Sequence, residues 1–183
     1  MTRKYARFKT EKELLKSVLC SLPYDVYPKV SAIGGKKITP DIDILQIKRV
    51  SQDRFRLVGY EIKLMRFNKK SKRLSWNSFY SGIGQVFLYL KNGVHRAVLG
   101  FHENVPNDEI IDEFYRWMWD RKDLLKRILG SYISIGLCLY RGNPVHMIIK
   151  AECDFYPSNE EVKLLSDELL HRKFSFDRRL KGE

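Results

Sequence analysis

Cysteine is scarce in this chain: Cys20, Cys138 and Cys153 lie far apart, with no CxxC pair. That spacing supports neither a zinc ribbon nor a disulfide framework and suits a reducing interior. The four histidines, His95, His102, His146 and His171, are equally scattered and suggest neither a zinc site nor a histidine-based catalytic centre. No run of about 18 apolar residues occurs, and the basic opening, Met1 to Lys9, lacks the apolar core of a secretory signal. These absences point to a soluble, intracellular (cytoplasmic) protein with no membrane partner. Acid is the remaining shortage. The 22 Asp and Glu face 34 Lys and Arg, a formal net charge of +12, which favours a polyanion and nucleic acid first among polyanions.

What is present reads as one domain. The 183 residues are 44% hydrophobic and 13% aromatic, enough for one substantial core, with no internal repeat or low-complexity linker. Thr10 with Glu13 makes a capping box for a helix that carries Leu14, Leu15, Val18 and Leu19 on one side and stops at Pro23. Tyr24 to Val30, Ile38 to Val50 and Phe55 to Met65 read as three strands, joined at Gly34-Gly35 and at Ser51-Gln52-Asp53. After a basic loop, Phe79, Ile83, Val86, Phe87 and Leu90 space a helix over Ser75 to Leu90, and Asn92-Gly93 ends it. A strand over Val94 to Phe101 follows. A long helix capped by Asn107 then buries Ile110, Ile111, Phe114, Trp117 and Met118, and strands over Tyr132 to Tyr140 and Val145 to Ala151 flank an Arg141-Gly142-Asn143-Pro144 turn. Ser158 and Glu161 open a last helix to about Leu170. The order predicts a single α/β domain, a central mixed β-sheet flanked by helices, with a core over about 10–101 and a helix-strand-strand-helix extension over about 107–171.

Chemistry gathers at Pro40-Asp41 and Glu61-Ile62-Lys63. Strand residues two apart face the same way, so Glu61 and Lys63 point together while Tyr60, Ile62 and Leu64 turn to the opposite side. An acid and an amine on a largely apolar strand are costly unless a metal, a substrate or a partner charge balances them. Asp41, on the neighbouring strand, is placed to supply a second carboxylate. Asp43 shares its face and is the alternative; the proline before Asp41 fits a strand start and favours Asp41. Cleaving a phosphodiester needs an activated water and neutralisation of charge on phosphate and leaving oxygens, needs that carboxylate-held Mg²⁺ and a lysine meet. Lys63 would act on water or on phosphate charge. The ordinary alternative for Glu61 and Lys63 is an exposed ion pair.

With this order of elements, Pro40-Asp41 and Glu61-Ile62-Lys63 resemble the PD-(D/E)xK nuclease superfamily over roughly Thr10 to Phe101, which implies the restriction-endonuclease-like fold. Glu11-Lys12-Glu13-Leu14 is similar to the opening helix of archaeal Holliday-junction resolvases. Glu11, on the face of Leu14, Leu15 and Val18, is the preferred metal-site acid, with Glu13 better used for the cap and kept as the alternative. Gln85-Val86-Phe87-Leu88-Tyr89 has the QxxxY form of the RecB-like and Cas4-like branch, without the cysteines of its iron–sulfur members. The resemblance implies a metal set of Glu11, Asp41, Glu61 and Ile62, a catalytic set of Asp41, Glu61, Lys63 and Gln85, and Mg²⁺ as cofactor with Mn²⁺ able to substitute. Gln85 and Tyr89, four apart on one helix face, would reach the site or the DNA together, while a solvated Gln85 and a packing Tyr89 are the ordinary reading.

Arg66, Lys69, Lys70, Lys72 and Arg73 follow the motif strand at once and read as a phosphate clamp, bracketed by Phe67 and Trp76. The expected function is a metal-dependent DNA nuclease hydrolysing phosphodiester bonds. The alternatives are a catalytically inactive nucleic-acid-binding module of the same fold and an assembly protein using the aromatic helix Ile110 to Ile128. Endonuclease or exonuclease action, DNA or RNA as substrate, and a homodimer stay open.

Overall fold

In a computed structural model that describes residues 8–22, 25–33, 36–51, 54–68, 70–71, 73–103, 116–129, 131–137 and 146–155, the first element follows from its cap. Thr10 Oγ1 accepts the Glu13 N–H at 3.2 Å, and the Glu13 carboxylate accepts the Lys9 N–H at 2.8 Å, opening α1 (Glu11–Ser21). Leu14, Leu15, Val18 and Leu19 are its buried stripe, as their spacing predicts. Each stabilises the fold by about 1.5–3 kcal/mol relative to exposure.

Three strands come next: β1 (Val26–Ile33), β2 (Lys36–Ser51) and β3 (Arg54–Asn68), paired antiparallel in sequence order. The stretch read as a basic loop after Met65 is instead a hairpin. Residues 66–68 extend β3, and β4 (Arg73–Ser75) pairs back onto them. The reason is local: Asn68 Oδ1 accepts the N–H groups of Lys70 and Ser71, at 3.0 and 3.2 Å, and so bends the chain.

Next come α2 (Asn77–Lys91) and β5 (Arg96–Glu103), which pairs parallel to β3. Residues 116–120 are helical, and α3 (Lys122–Leu129) follows. The strands expected over Tyr132 to Tyr140 and Val145 to Ala151 are seen as β6 (Ile133–Leu137), parallel to β5, and β7 (His146–Ile149), antiparallel to β6. Asn107, Ile110, Ile111, Phe114, the turn at 141–144 and the last expected helix lie outside the described residues.

Among the described residues the sheet runs β1-β2-β3-β5-β6-β7, with β4 on β3. The protein is an α/β fold with a mixed sheet packed against helices. Alternation along β3 divides the core. Val58, Tyr60, Ile62 and Leu64 join the α1 residues on one face, while Leu57 and Met65 join Phe79, Val86, Tyr89 and Leu90 of α2 on the other. The strand that carries the motif is therefore interior to the sheet and covered on both faces.

α2 is seated through a glycine. A Cβ on Gly82 would lie 2.4 Å from Leu99 Cδ1, and Leu99 is itself fully buried, whereas a Cβ on Gly84 meets nothing within 4 Å. Gly82→Ala is expected to destabilise by roughly 1–3 kcal/mol, and Gly84→Ala to stabilise by about 0.5–1 kcal/mol through helix propensity. Denaturant titration of both variants checks this pair, and equal effects would contradict the seating of α2 on β5.

Candidate active site

Where the β2–β3 pairing reaches Ile44 opposite Tyr60, the next residues in register are Asp43 and Glu61. Both acids are buried, Glu61 to 1% exposure and Asp43 to 6%. The Asp43 carboxylate extends the pairing with its own atoms: Oδ2 accepts the Ile62 N–H at 2.9 Å. Its Oδ1 is paired with Lys29 Nζ. Lys29 lies on β1 just before the register shift between Val30 and Ala32, with φ 49°, in the left-handed region that non-glycine residues seldom occupy.

Glu61 is held from two sides. Its Oε1 lies 2.5 Å from Lys63 Nζ, and its Oε2 accepts a hydrogen bond from the Tyr89 hydroxyl. That hydroxyl also lies 3.0 Å from the Asp41 carbonyl oxygen and accepts the Asp43 N–H at 3.4 Å. One phenol of α2 thus joins both motif strands. Gly59 makes room for its ring, since a Cβ there would stand 3.2 Å from Tyr89 Cδ2.

The electrostatics follow from burial. Loss of solvent, and then the Asp43 charge, push the Glu61 carboxyl from an ordinary 4.5 up to about 7, against the pull of Lys63 and Tyr89. Burial alone would lower Lys63, yet its hydrogen bond to Glu61 and the charges of Glu61, Asp43 and Glu11 hold it above its ordinary value. Tyr89 is driven upward by burial and by Glu61 and Asp43, so it stays a donor.

The structure thus brings together Glu61, Lys63 and Tyr89 with Asp43. The carboxylate facing Glu61 is that of Asp43; the Asp41 residue is exposed and reaches the cluster through its carbonyl. The Thr39–Pro40 peptide that precedes it is cis. Glu11 stands at the far end of β3, where Oε1 accepts the Leu64 N–H at 3.3 Å, close enough for its charge to act on Lys63. Glu13 stays at the cap. Ile62 has a buried side chain and offers its backbone beside both acids. Gln85 lies one turn before Tyr89 on α2, with its Oε1 buried and without a hydrogen-bond partner among the described residues. Tyr89, expected on the DNA, is fully buried on Glu61 and presents no surface to a nucleic acid.

Of the expected clamp, Lys70 and Arg73 are exposed on the β3–β4 hairpin, while Lys69, Lys72 and the Arg66 side chain lie outside the described residues. Trp76 stacks on Trp117, with ring centroids 4.2 Å apart, and meets Phe79 edge-on. Lys29 carries no motif signal, and only its backbone conformation marks it.

Among the described residues no three His, Cys, Asp or Glu side chains converge as a ready metal cage. The donor set nonetheless fits Mg²⁺ or Mn²⁺. Two hard carboxylates beside a peptide backbone and an orphaned amide oxygen suit such ions, which bind through one or two carboxylates and complete their shell with water and substrate oxygens.

Glu61 sets a pH dependence of stability. Its folded value lies above its ordinary one, so its contribution is fully present below about 4.5 and is lost as pH rises through about 7. Lys63, held high, titrates only in the alkaline range and stays out of this window. Metal-free protein is expected to lose stability between about pH 5 and pH 8, and Glu61→Gln to flatten that slope. Denaturant melts across the window decide; a slope unchanged in the variant would assign the effect elsewhere.

No model of a known protein family matches the chain, and no curated protein matches it.

Proposed function

We propose that the protein is a metal-dependent nuclease of the PD-(D/E)xK type with a restriction-endonuclease-like core, hydrolysing phosphodiester bonds in DNA. The observation that carries this reading is the pair of buried acids, Asp43 and Glu61, level on adjacent strands with Lys63 on Glu61. Asp43 takes the role first given to Asp41. The element order from α1 through three antiparallel strands, α2 and a parallel β5 agrees with that core.

Asp43 and Glu61 would hold the cation, with the Ile62 carbonyl as a further donor and Glu11 assisting from α1. The ion supplies a Lewis acid for the phosphate and lowers the pKa of water. Lys63 moves its ammonium from Glu61 to the phosphate oxygens, where negative charge builds during attack, or orients the water. Tyr89 fixes the free oxygen of Glu61 and thereby the side-chain torsion. Gln85, with its oxygen unsatisfied among the described residues, is a positioning group for water. Lys70 and Arg73 on the hairpin, and the basic residues beside them, would neutralise backbone phosphates.

A second reading has its own observation. Lys29 already pairs with Asp43, and Lys63 and Tyr89 already satisfy Glu61, as in an inactive nucleic-acid-binding module that keeps the fold. Cleavage assays on duplex, single-stranded and branched DNA with Mg²⁺ or Mn²⁺ separate the two. Asp43→Asn, Glu61→Gln and Lys63→Met are each expected to reduce cutting roughly 10²-fold or more, with Asp41→Asn retaining most of it. Mn²⁺ binding followed by electron paramagnetic resonance should be lost in Asp43→Asn and Glu61→Gln and kept in Lys63→Met. Folded wild-type protein that binds DNA but neither cuts it nor binds Mn²⁺ would establish the inactive module.

A further inference from the structure

On the face of the sheet that carries α1, beyond the apolar patch that α1 covers, three cations converge. Lys48 of β2 stands opposite Arg56 of β3 in the antiparallel register, and Arg96 of β5 stands beside Val58 in the parallel one, so all three point to the same side. Arg56 lies five residues before Glu61, roughly 17 Å along the strand, and on the opposite face. The cluster is separate from the acidic site.

A single carboxylate serves two of these cations. Asp154 Oδ2 accepts from Arg56 Nε at 2.8 Å and lies 2.7 Å from Nη2, while Oδ1 is bonded by Arg96 Nε. The segment that brings Asp154 here is pinned by its backbone: the N–H groups of Glu152 and Cys153 donate to the Ser131 carbonyl and that of Phe155 to the His95 carbonyl, at 2.7, 3.1 and 2.8 Å. The neighbouring acid, Glu152, is engaged with Lys126 at 2.8 Å. Among the described residues three positive charges therefore meet one negative charge, and both arginine side chains are only about a quarter exposed. Arg96 Nη1 adds a contact of 3.4 Å to the Ala151 carbonyl. Arg56 Nη1, Arg96 Nη2 and Lys48 Nζ donate to no group among the described residues. The excess is felt within the cluster, since burial and then the two arginines hold Lys48 below its ordinary value.

Partly buried arginines that share one acid, with the exposed Lys48 beside them, are stabilised by an anion. Two pre-oriented guanidinium forks and an ammonium suit an anion with several oxygens at tetrahedral spacing better than a planar carboxylate. We propose that Lys48, Arg56 and Arg96 form a phosphate-binding site, in which Asp154 holds the guanidinium groups and a phosphate group takes the remaining donors. The site goes beyond the nuclease reading and does not require it.

The test is a titration of the full chain with inorganic phosphate, read from backbone amide resonances against sodium chloride at matched ionic strength. Saturable shifts are expected at Lys48, Arg56, Arg96 and residues 151–155. Lys48→Gln leaves the arginine–aspartate bridge in place and should weaken binding about tenfold; Lys91→Gln, an exposed control on α2, should leave it unchanged. Shifts that do not saturate, that chloride reproduces, or that both variants weaken equally would overturn the site. A short oligonucleotide then identifies the source: displacement of phosphate assigns the site to a nucleic-acid backbone, and binding without displacement assigns it to a free phosphate or phosphorylated small molecule. Glu61→Gln should abolish cleavage and leave this titration unchanged, so the two proposals fail separately.

Discussion

The carboxylate of Glu61, buried in the interior of the sheet, is the constraint to which its surroundings answer. Removing an ion from water costs several kcal/mol even after relaxation. The fold offsets that cost with Lys63 and with the Tyr89 hydroxyl, and then adds to it by setting a second acid, Asp43, alongside. A stability device would avoid the second charge, since apolar residues of similar volume usually serve at least as well at such positions. Two like charges in one buried place, each with a cation of its own, are what the proposed metal site would use.

The architecture is arranged to keep that place rigid. β3 is paired on both edges and covered on both faces, so Glu61 and Lys63 stand on the strand least free to move. α2 approaches closely because Gly59 and Gly82 leave no side chain in its way, and its Tyr89 ties β2 to β3 across the acids. α1 closes the opposite face with four apolar side chains and brings Glu11 to the end of β3. Secondary structure, packing and site chemistry depend on the same few contacts.

Much of this is legible in the residues themselves, and what escapes does so for physical reasons. Periodicity and caps identify α1, α2 and the three-strand unit, because Thr10, Pro23 and the alternation in β3 act locally. The pairing of Glu61 with Lys63 follows from a period of two. The choice between Asp41 and Asp43 does not, since alternation assigns both to one face and only the packing of β2 on β3, a tertiary property, decides which is buried. Lys29 is invisible for the same reason: its role depends on a backbone irregularity in β1. The hairpin after Met65 is signalled by Asn68 alone, and five cations in that stretch read more strongly as loop than one turn-forming side chain. Asp154 pairs with Arg56 and Arg96 from 98 and 58 residues away, and no local pattern announces it.

The net charge of +12 is not spread as a uniform coat. On one face of the sheet Lys29 and Lys63 are each matched to a buried acid, so the charge there is close to balanced and would turn net positive only when a divalent ion entered. On the other, Arg56 and Arg96 share Asp154 with Lys48 beside them, and among the described residues these cations outnumber the acid. At contact the two faces differ, since a balanced cluster gains little from an anion alone whereas an under-compensated one is relieved by it. The two proposed sites therefore lie on opposite faces of one sheet, the metal site among paired charges and the phosphate site where cations outnumber the acid among the described residues.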